Sequence, residues 1–268
     1  MTEKLSIGDV DVLIEGTGKE TIVMIHGWPD TYRIWDAQVA ALKDTYRCVR
    51  FTLPGYATDK PRKYYDLEDI IKTIDAVVSQ VGAGKPVTLL IHDWGSFFGF
   101  QYYMRNKSKV SKIISIDIGD AGSPDHVLSN KAKAFMFAYQ MWLAAAWKIG
   151  GSIGDKMTRK MAKALNAPGD PASITSAMTY SYYWKWSHTL TGRPLGNLPI
   201  DITCPLLFVY GKNKPGMFHS QHWEQKIAAI PGNKVVAFDT RHWVMTEQPE
   251  AFNQLTIDWL KSHQHEQI

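Results

Sequence analysis

Short apolar runs rich in β-branched residues alternate along the chain with longer stretches whose apolar residues recur at helical spacing. That alternation predicts a mostly parallel sheet covered by helices. Leu5 to Glu15 reads as a hairpin, Thr21 to Ile25 as an apolar strand and Thr31 to Leu42 as a helix. A strand over Tyr46 to Thr52 and an amphipathic helix over Leu67 to Val81 follow, then a strand over Val87 to Ile91, a helix over Ser96 to Asn106 and a strand over Val110 to Asp117. The alternation breaks there. From Ala121 to Pro199 no clear strand is seen, and the segment is rich in Ala, Met, Trp and Tyr and punctuated by Gly150-Gly151, Pro168-Gly169 and Gly192-Arg193-Pro194. It reads as a helical insertion. The strand and helix pattern resumes with Pro205 to Tyr210, a helix near His222 to Ile230, a strand over Lys234 to Asp239 and a final helix over Gln248 to Lys261. The expected division is a core of residues 1–120 and 200–268 and a cap of residues 121–199. The fold class is α/β, with no internal repeat or low-complexity segment.

Composition narrows the classes. At 268 residues, with 45% hydrophobic and 21% charged residues, the chain supports one large core and excludes a disordered or fibrous protein. The net charge of +4 is spread without a basic block, which disfavours nucleic acid as a partner. Cys48 and Cys204 lie in strand-like segments, so buried thiols in a reducing cytoplasm are expected rather than a disulfide framework. Met1-Thr2-Glu3-Lys4 leads into no apolar signal region, and no stretch reaches the ~20 apolar residues of a membrane span. Phe135 to Trp147, interrupted by Gln140, reads as a buried or pocket-facing helix. A homodimer is left open.

The candidate chemistry is concentrated at His92-Asp93-Trp94-Gly95, between an apolar strand and a helix. A strand that breaks into a helix through one sharp turn, with glycine two places after the turn residue, presents a side chain above the sheet as a nucleophile elbow does. The presented residue is an aspartate. A carboxylate displaces at saturated carbon and forms an alkyl ester, which points to cleavage of a carbon–oxygen or carbon–halogen bond. The competing reading of Asp93 is a cap for the helix that follows. His219 and His222 have helical spacing but no third ligand beside them, so solvent-facing polarity is expected and no metal or other cofactor is assigned.

The sheet order, the Asp-bearing elbow, the His26-Gly27-Trp28-Pro29 turn and the late His242 together resemble the α/β-hydrolase fold, in the branch of epoxide hydrolases, haloalkane dehalogenases and fluoroacetate dehalogenases. The resemblance spans essentially the whole chain. It implies a mostly parallel eight-stranded sheet with a helical cap insertion, Asp93 as nucleophile and the backbone N–H groups of Trp28 and Trp94 as an oxyanion hole. His26 is taken as structural. His242 would activate water for ester hydrolysis, with His92 and His188 as lesser candidates. The acid that supports the histidine departs from the common pattern. Many relatives carry Asp three residues past the glycine of Gly211, where this chain has Lys214. Some instead take the acid from the end of the preceding core strand, where Ile116-Asp117-Ile118-Gly119-Asp120 offers Asp117, with Asp120 in reserve. A second departure is Ile91, two before Asp93, where a smaller residue is usual.

Epoxide hydrolases of this fold use two cap tyrosines to hydrogen-bond the oxirane oxygen, and Tyr139-Gln140 and Ser181-Tyr182-Tyr183-Trp184 resemble the two motifs, with Tyr139 and Tyr183 at the matching places. Core packing is the usual alternative for such residues. Trp94 and Phe97 stand where fluoroacetate dehalogenases carry arginines, which argues against small haloacids. A haloalkane dehalogenase is the alternative reading, with Trp94 and one of Trp142, Trp147 or Trp184 as halide donors and Trp28 replacing an Asn. A non-catalytic ligand-binding or scaffold protein is the second alternative, supported by Lys214 and Ile91. The aromatic, alanine-rich cap points to a small apolar organic substrate.

Overall fold

A computed structural model describes residues 2–264. The hairpin begins earlier than its apolar pattern suggests, with β1 over Thr2–Ile7 and β2 over Val10–Glu15. The strands β3 (Thr21–Ile25), β4 (Arg47–Phe51), β5 (Val87–His92), β6 (Val110–Ile116), β7 (Leu206–Gly211) and β8 (Lys234–Phe238) complete one eight-stranded sheet in the order β1-β2-β4-β3-β5-β6-β7-β8. Pairing is antiparallel for β1 with β2 and β2 with β4, and parallel from β4 through β8. This is the α/β-hydrolase fold.

The side-chain period of two divides the core. In β3, Val23 and Ile25 pack on one face of the sheet while Ile22 and Met24 pack on the other. Both faces of β5 are buried, which is why its sequence shows no alternation of exposed polar and buried apolar residues. Helices α2 (Leu67–Gly82) and α3 (Trp94–Arg105) contribute to one cluster, while α1 (Asp36–Leu42), α8 (Val244–Glu247) and α9 (Pro249–Ser262) contribute to the other. The start of α2 is fixed by a capping box between Asp66 and Asp69. The helix expected over 31–42 is divided into a 3-10 turn at Tyr32–Trp35 and α1. Between β8 and α9, the short α8 has too few residues to reveal a helical period.

Between β6 and β7 the chain forms α4 (Asn130–Ile149), α5 (Gly151–Ala164) and α6 (Tyr180–Thr191), with 3-10 turns at Pro171–Ser173 and Ser176–Thr179. The apolar stretch inside α4 is one-sided: Tyr139, Leu143, Ala146 and Trp147 are buried, whereas Phe137 is exposed. Between the two strands that follow the insertion, α7 (Gln221–Ala228) packs beside β8. No described helix is long and apolar enough to cross a membrane. Both cysteines are free thiols, Cys48 buried and Cys204 partly so.

Candidate active site

Asp93 occupies the step from β5 to α3 in a backbone conformation that side chains avoid, with φ +53° and ψ −127°. Such a conformation costs roughly 1–3 kcal/mol and persists only where its surroundings fix it. The Asp93 carbonyl accepts from Ser96 N–H at 2.9 Å, so the strain is built into the first turn of the helix. The side chain makes no capping bond to α3. It points instead across the strand ends, where its Oδ1 accepts from the Trp28 N–H at 2.7 Å. Gly27 makes that approach possible, because a Cβ there would lie 2.3 Å from Asp93 Oδ1. The Trp28-Pro29 bond is cis.

Crowding from Ile91 is relieved on the neighbouring helix. A Cβ on Gly99 would lie 2.8 Å from Ile91 Cγ2, so the larger residue in β5 is matched by the absence of a side chain in α3. The strand and helix therefore pack closely despite the isoleucine.

The other Asp93 oxygen faces His242, whose Nε2 lies 3.3 Å from Oδ2. His242 follows β8 in the loop before α8, and its Nδ1 is hydrogen-bonded to Oδ2 of Asp117. Asp117 is fully buried just past β6, with φ +72°. Its Oδ1 accepts from the Gly211 N–H at 3.1 Å and from the Lys214 ammonium. Lys214 also donates to the Gly211 carbonyl at 2.7 Å. Asp117 thus stands beside the imidazole. Asp120 does not: its oxygens accept from Ser123 and from both the N–H and hydroxyl of Ser220, which ties two loops together.

The electrostatics follow the geometry. Burial would raise the pKa of Asp117, but the Lys214 and His242 charges override it and hold the carboxyl at about 2. Burial would likewise lower that of His242, but Asp117 and Asp93 hold it up at about 9. For Asp93, the burial penalty is outweighed by hydrogen bonding and charge from His242, with help from the Trp94 amide, so it stays below the usual carboxylate range. The resting arrangement is a carboxylate facing an imidazolium.

The other histidines weighed from the sequence have partners other than Asp93. His26 donates from Nδ1 to the Gly27 carbonyl and accepts at Nε2 from the Leu53 N–H, which fixes it neutral; burial pushes its pKa down to about 4. His92 donates through Nε2 to the His242 carbonyl at 3.2 Å and is likewise held neutral by burial, at about 3. His188 bonds the Pro194 carbonyl, and His219 bonds Glu224.

From the insertion, the structure brings Tyr139 of α4 and Tyr182 of α6 to the site. The Tyr182 ring lies edge-on to Trp94 at 5.2 Å, to Trp28 at 5.8 Å and to Tyr139 at 6.1 Å. Burial raises the pKa of both hydroxyls, and the Asp93 charge raises it further, so both remain protonated donors. Tyr183, the expected second donor, is turned away. On a helix each residue is rotated about 100° from the last, and its ring packs between Tyr64 at 6.2 Å and Trp147 at 6.3 Å. It is Tyr182, not the expected Tyr183, whose ring the structure places against Trp28 and Trp94. Gln140 donates to the Tyr139 oxygen at 3.2 Å and accepts from Lys185 and Trp186, an arrangement that leaves the Tyr139 proton free to donate.

The indoles expected as halide donors from the insertion have other partners. Trp142 donates to the Met157 carbonyl, Trp147 lies under the Arg62 guanidinium at 3.7 Å, and Trp184 packs on Phe97 at 6.0 Å. Sequence reasoning passed over Tyr56, whose buried hydroxyl has no partner among the described residues and whose ring meets His26 at 5.1 Å. Its position in Leu53-Pro54-Gly55-Tyr56 carries no periodic signal. A surface groove of about 830 Å³ runs past Asp30, Tyr56 and Asp170, but Asp93, Asp117 and His242 are not in its lining; the chemistry, not the groove, marks the site.

Comparison with known proteins agrees with this architecture. Residues 20–146 match the family model described as alpha/beta hydrolase fold. Probable oxidoreductase EphD of Mycobacterium tuberculosis is 32% identical over 112 residues, covering 41% of this chain and only 19% of that relative. The chain thus spans about a fifth of the length of that larger protein. Human Epoxide hydrolase 4 is 25% identical over 266 residues, covering 91% of this chain and 73% of the relative. An epoxide hydrolase from Bacillus megaterium, crystallised with its product (R)-3-[1]naphthyloxy-propane-1,2-diol, superposes with a TM-score of 0.75 at 20% identity, covering 97% of this chain and all of that one.

Proposed function

The chain is a protein of the α/β-hydrolase fold, akin to its epoxide hydrolase branch, and from that premise we propose that it opens an epoxide to a vicinal diol through an ester on Asp93. An Asp93 oxygen attacks an oxirane carbon, and the carbon–oxygen bond breaks with its electron pair going to oxygen. Tyr139 and Tyr182 donate to that oxygen, and it takes a proton from one of them. The His242 imidazolium makes good this proton through solvent and is left neutral. Water then attacks the ester carbonyl while His242 takes one of its protons. The Trp28 and Trp94 amides hold the resulting oxyanion. Collapse expels the alkoxide, which takes the remaining acidic proton to give the diol, and Asp93 carboxylate and His242 imidazolium are restored.

The observation that carries this reading is the pair of buried, protonated hydroxyls, Tyr139 and Tyr182, that share the Asp93 field. An alkoxide is a poor leaving group and must take a proton, which a hydroxyl can give; a halide needs only to be hydrogen-bonded. The cluster of aromatic rings next to Asp93 (Trp94, Phe97, Phe98 and Trp184) supports an apolar substrate.

In heavy-oxygen water, a single turnover is expected to leave the label on Asp93 and not in the diol. Label appearing directly in that diol rejects the ester route. Halide release is the second reading, favoured by the buried Trp28 indole N–H, which has no partner among the described residues and whose ring lies against Tyr182. A parallel assay of a terminal epoxide, a bromoalkane and fluoroacetate separates the two by diol and free halide. Silence on all three by folded protein supports a ligand-binding role.

A further inference from the structure

We propose that Lys214 is a positioning residue that acts through Asp117 to let His242 give up its proton once Asp93 has become an ester, an inference that rests on the reading above. Lys214 replaces a carboxylate with a cation at the place where many relatives carry their acid. Its side chain is only 4% exposed and is spent on the Asp117 carboxylate and the Gly211 carbonyl. Among the described residues it is the one lysine or arginine paired with Asp117. Lys214, Asp117, His242 and Asp93 therefore form a row of alternating charge that sums to zero at rest.

Ester formation removes the Asp93 charge from one end of this row. The imidazolium then keeps Asp117 as its only paired carboxylate, and a buried carboxylate with no second partner would hold the proton firmly. A protonated His242 cannot take a proton from water, and the ester would persist. Lys214 opposes this in two ways. Its charge repels the imidazolium across the carboxylate, and its hydrogen bond occupies Asp117 Oδ1, which leaves Oδ2 as the oxygen aimed at the ring. The other charged or titratable groups packed around the row do not replace it. Asp30 lies beneath the HGWP turn, bonded to Trp243. His92 is held neutral at the end of β5. On the far side, Tyr210 of β7 and His219 both bond Glu224 of α7.

The test separates charge from bracing and needs no substrate. Asp93→Asn gives a neutral side chain of the same shape as the aspartate, standing for the ester, and the His242 ring nitrogens are titrated by NMR in that background. The His242 midpoint is expected to fall on Asp93→Asn. Adding Lys214→Gln, which retains a donor to Asp117 without the charge, is expected to raise it again by about one pH unit or more. Lys214→Arg is expected to restore the low midpoint. If Lys214→Gln does not fold, Lys214→Met supplies the charge-free arm. An unchanged midpoint in either folded charge-free variant overturns the proposal and leaves Lys214 a structural brace. A protein inactive on epoxides would overturn the function and leave this titration readable. Where epoxide turnover is found, Lys214→Gln should accumulate ester at neutral pH and release it as the pH is raised.

Discussion

On the sheet side of the site, both oxygens of Asp93, both of Asp117 and both ring nitrogens of His242 meet a polar neighbour, and each residue sits at or just beyond a strand end. The helical side is different. There Tyr139 accepts one bond from Gln140, while the hydroxyls of Tyr180 and Ser181, and of Tyr56 in the loop after β4 that packs against Tyr180, are buried without partners among the described residues. A buried polar group left unpaired costs roughly 1–3 kcal/mol, so such groups persist where a ligand completes them or where packing outweighs the loss. The half around Asp93 is thus hydrogen-bonded within itself, whereas the half from the insertion keeps buried hydroxyls without partners among the described residues.

The comparison is broken most severely at its fixed half. On the proposed route Asp93→Ala removes the carboxylate that forms the ester, and turnover is expected to fall by at least ~10⁴-fold with no covalent adduct detectable by mass spectrometry. An adduct on another residue would relocate the chemistry. Asp117→Asn is expected to cost about 10³- to 10⁴-fold, because an amide neither stabilises the imidazolium nor holds the reactive tautomer. Its loss should be confined to ester hydrolysis, so rapid quench should find enzyme accumulating as the ester. Unimpaired hydrolysis would remove Asp117 from the mechanism.

Those residues were legible because a strand end and a turn limit where a side chain can go. The sequence of β5 followed by Asp93-Trp94-Gly95 leaves one conformation that continues into α3, and His242 follows β8 by only four residues. The place of Asp117 beside His242 was reached through a gap: Lys214 excluded the common acid, although nothing in the sequence indicated that the lysine would bond Asp117 itself. Asp120 illustrates the opposite limit, since its two serine partners lie up to 100 positions away. Which of Tyr182 and Tyr183 faces Trp28 and Trp94 was not legible, because five of the first seven residues of α6 are aromatic and hide its phase. The contacts of Tyr182 with Trp28 and Trp94 fix that phase, and they join segments far apart in sequence.

The helical half is tested by that same pair. Tyr182→Phe retains the ring contacts and removes the donor, and kcat is expected to fall about 10- to 100-fold with little change in stability. Tyr183→Phe should change kcat by no more than about twofold. The reverse ranking would restore Tyr183 and require α6 to rotate. Tyr139→Phe is expected to match Tyr182→Phe if the two hydroxyls share the developing charge.

The smallest effect concerns the joint beneath both halves, where Ile91 and Gly99 fit together. Gly99→Ala would gain roughly 0.5–1 kcal/mol from helix propensity on α3, yet its Cβ would come within 2.8 Å of Ile91 Cγ2 and 3.0 Å of Cδ1. Both residues are buried between β5 and α3, and overpacking of this kind costs about 1–3 kcal/mol. The gain offsets only part of the cost, and a net loss of about 1 kcal/mol is expected by urea unfolding. Ile91→Ala alone leaves a cavity and should cost about 2–5 kcal/mol. Because the added methyl fills part of the space that the isoleucine vacates, the double variant should be more stable than the sum of the two losses by about 1 kcal/mol or more. Strict additivity would mean that the helix moves to accept the methyl, and the close fit would then be incidental to the position of Asp93.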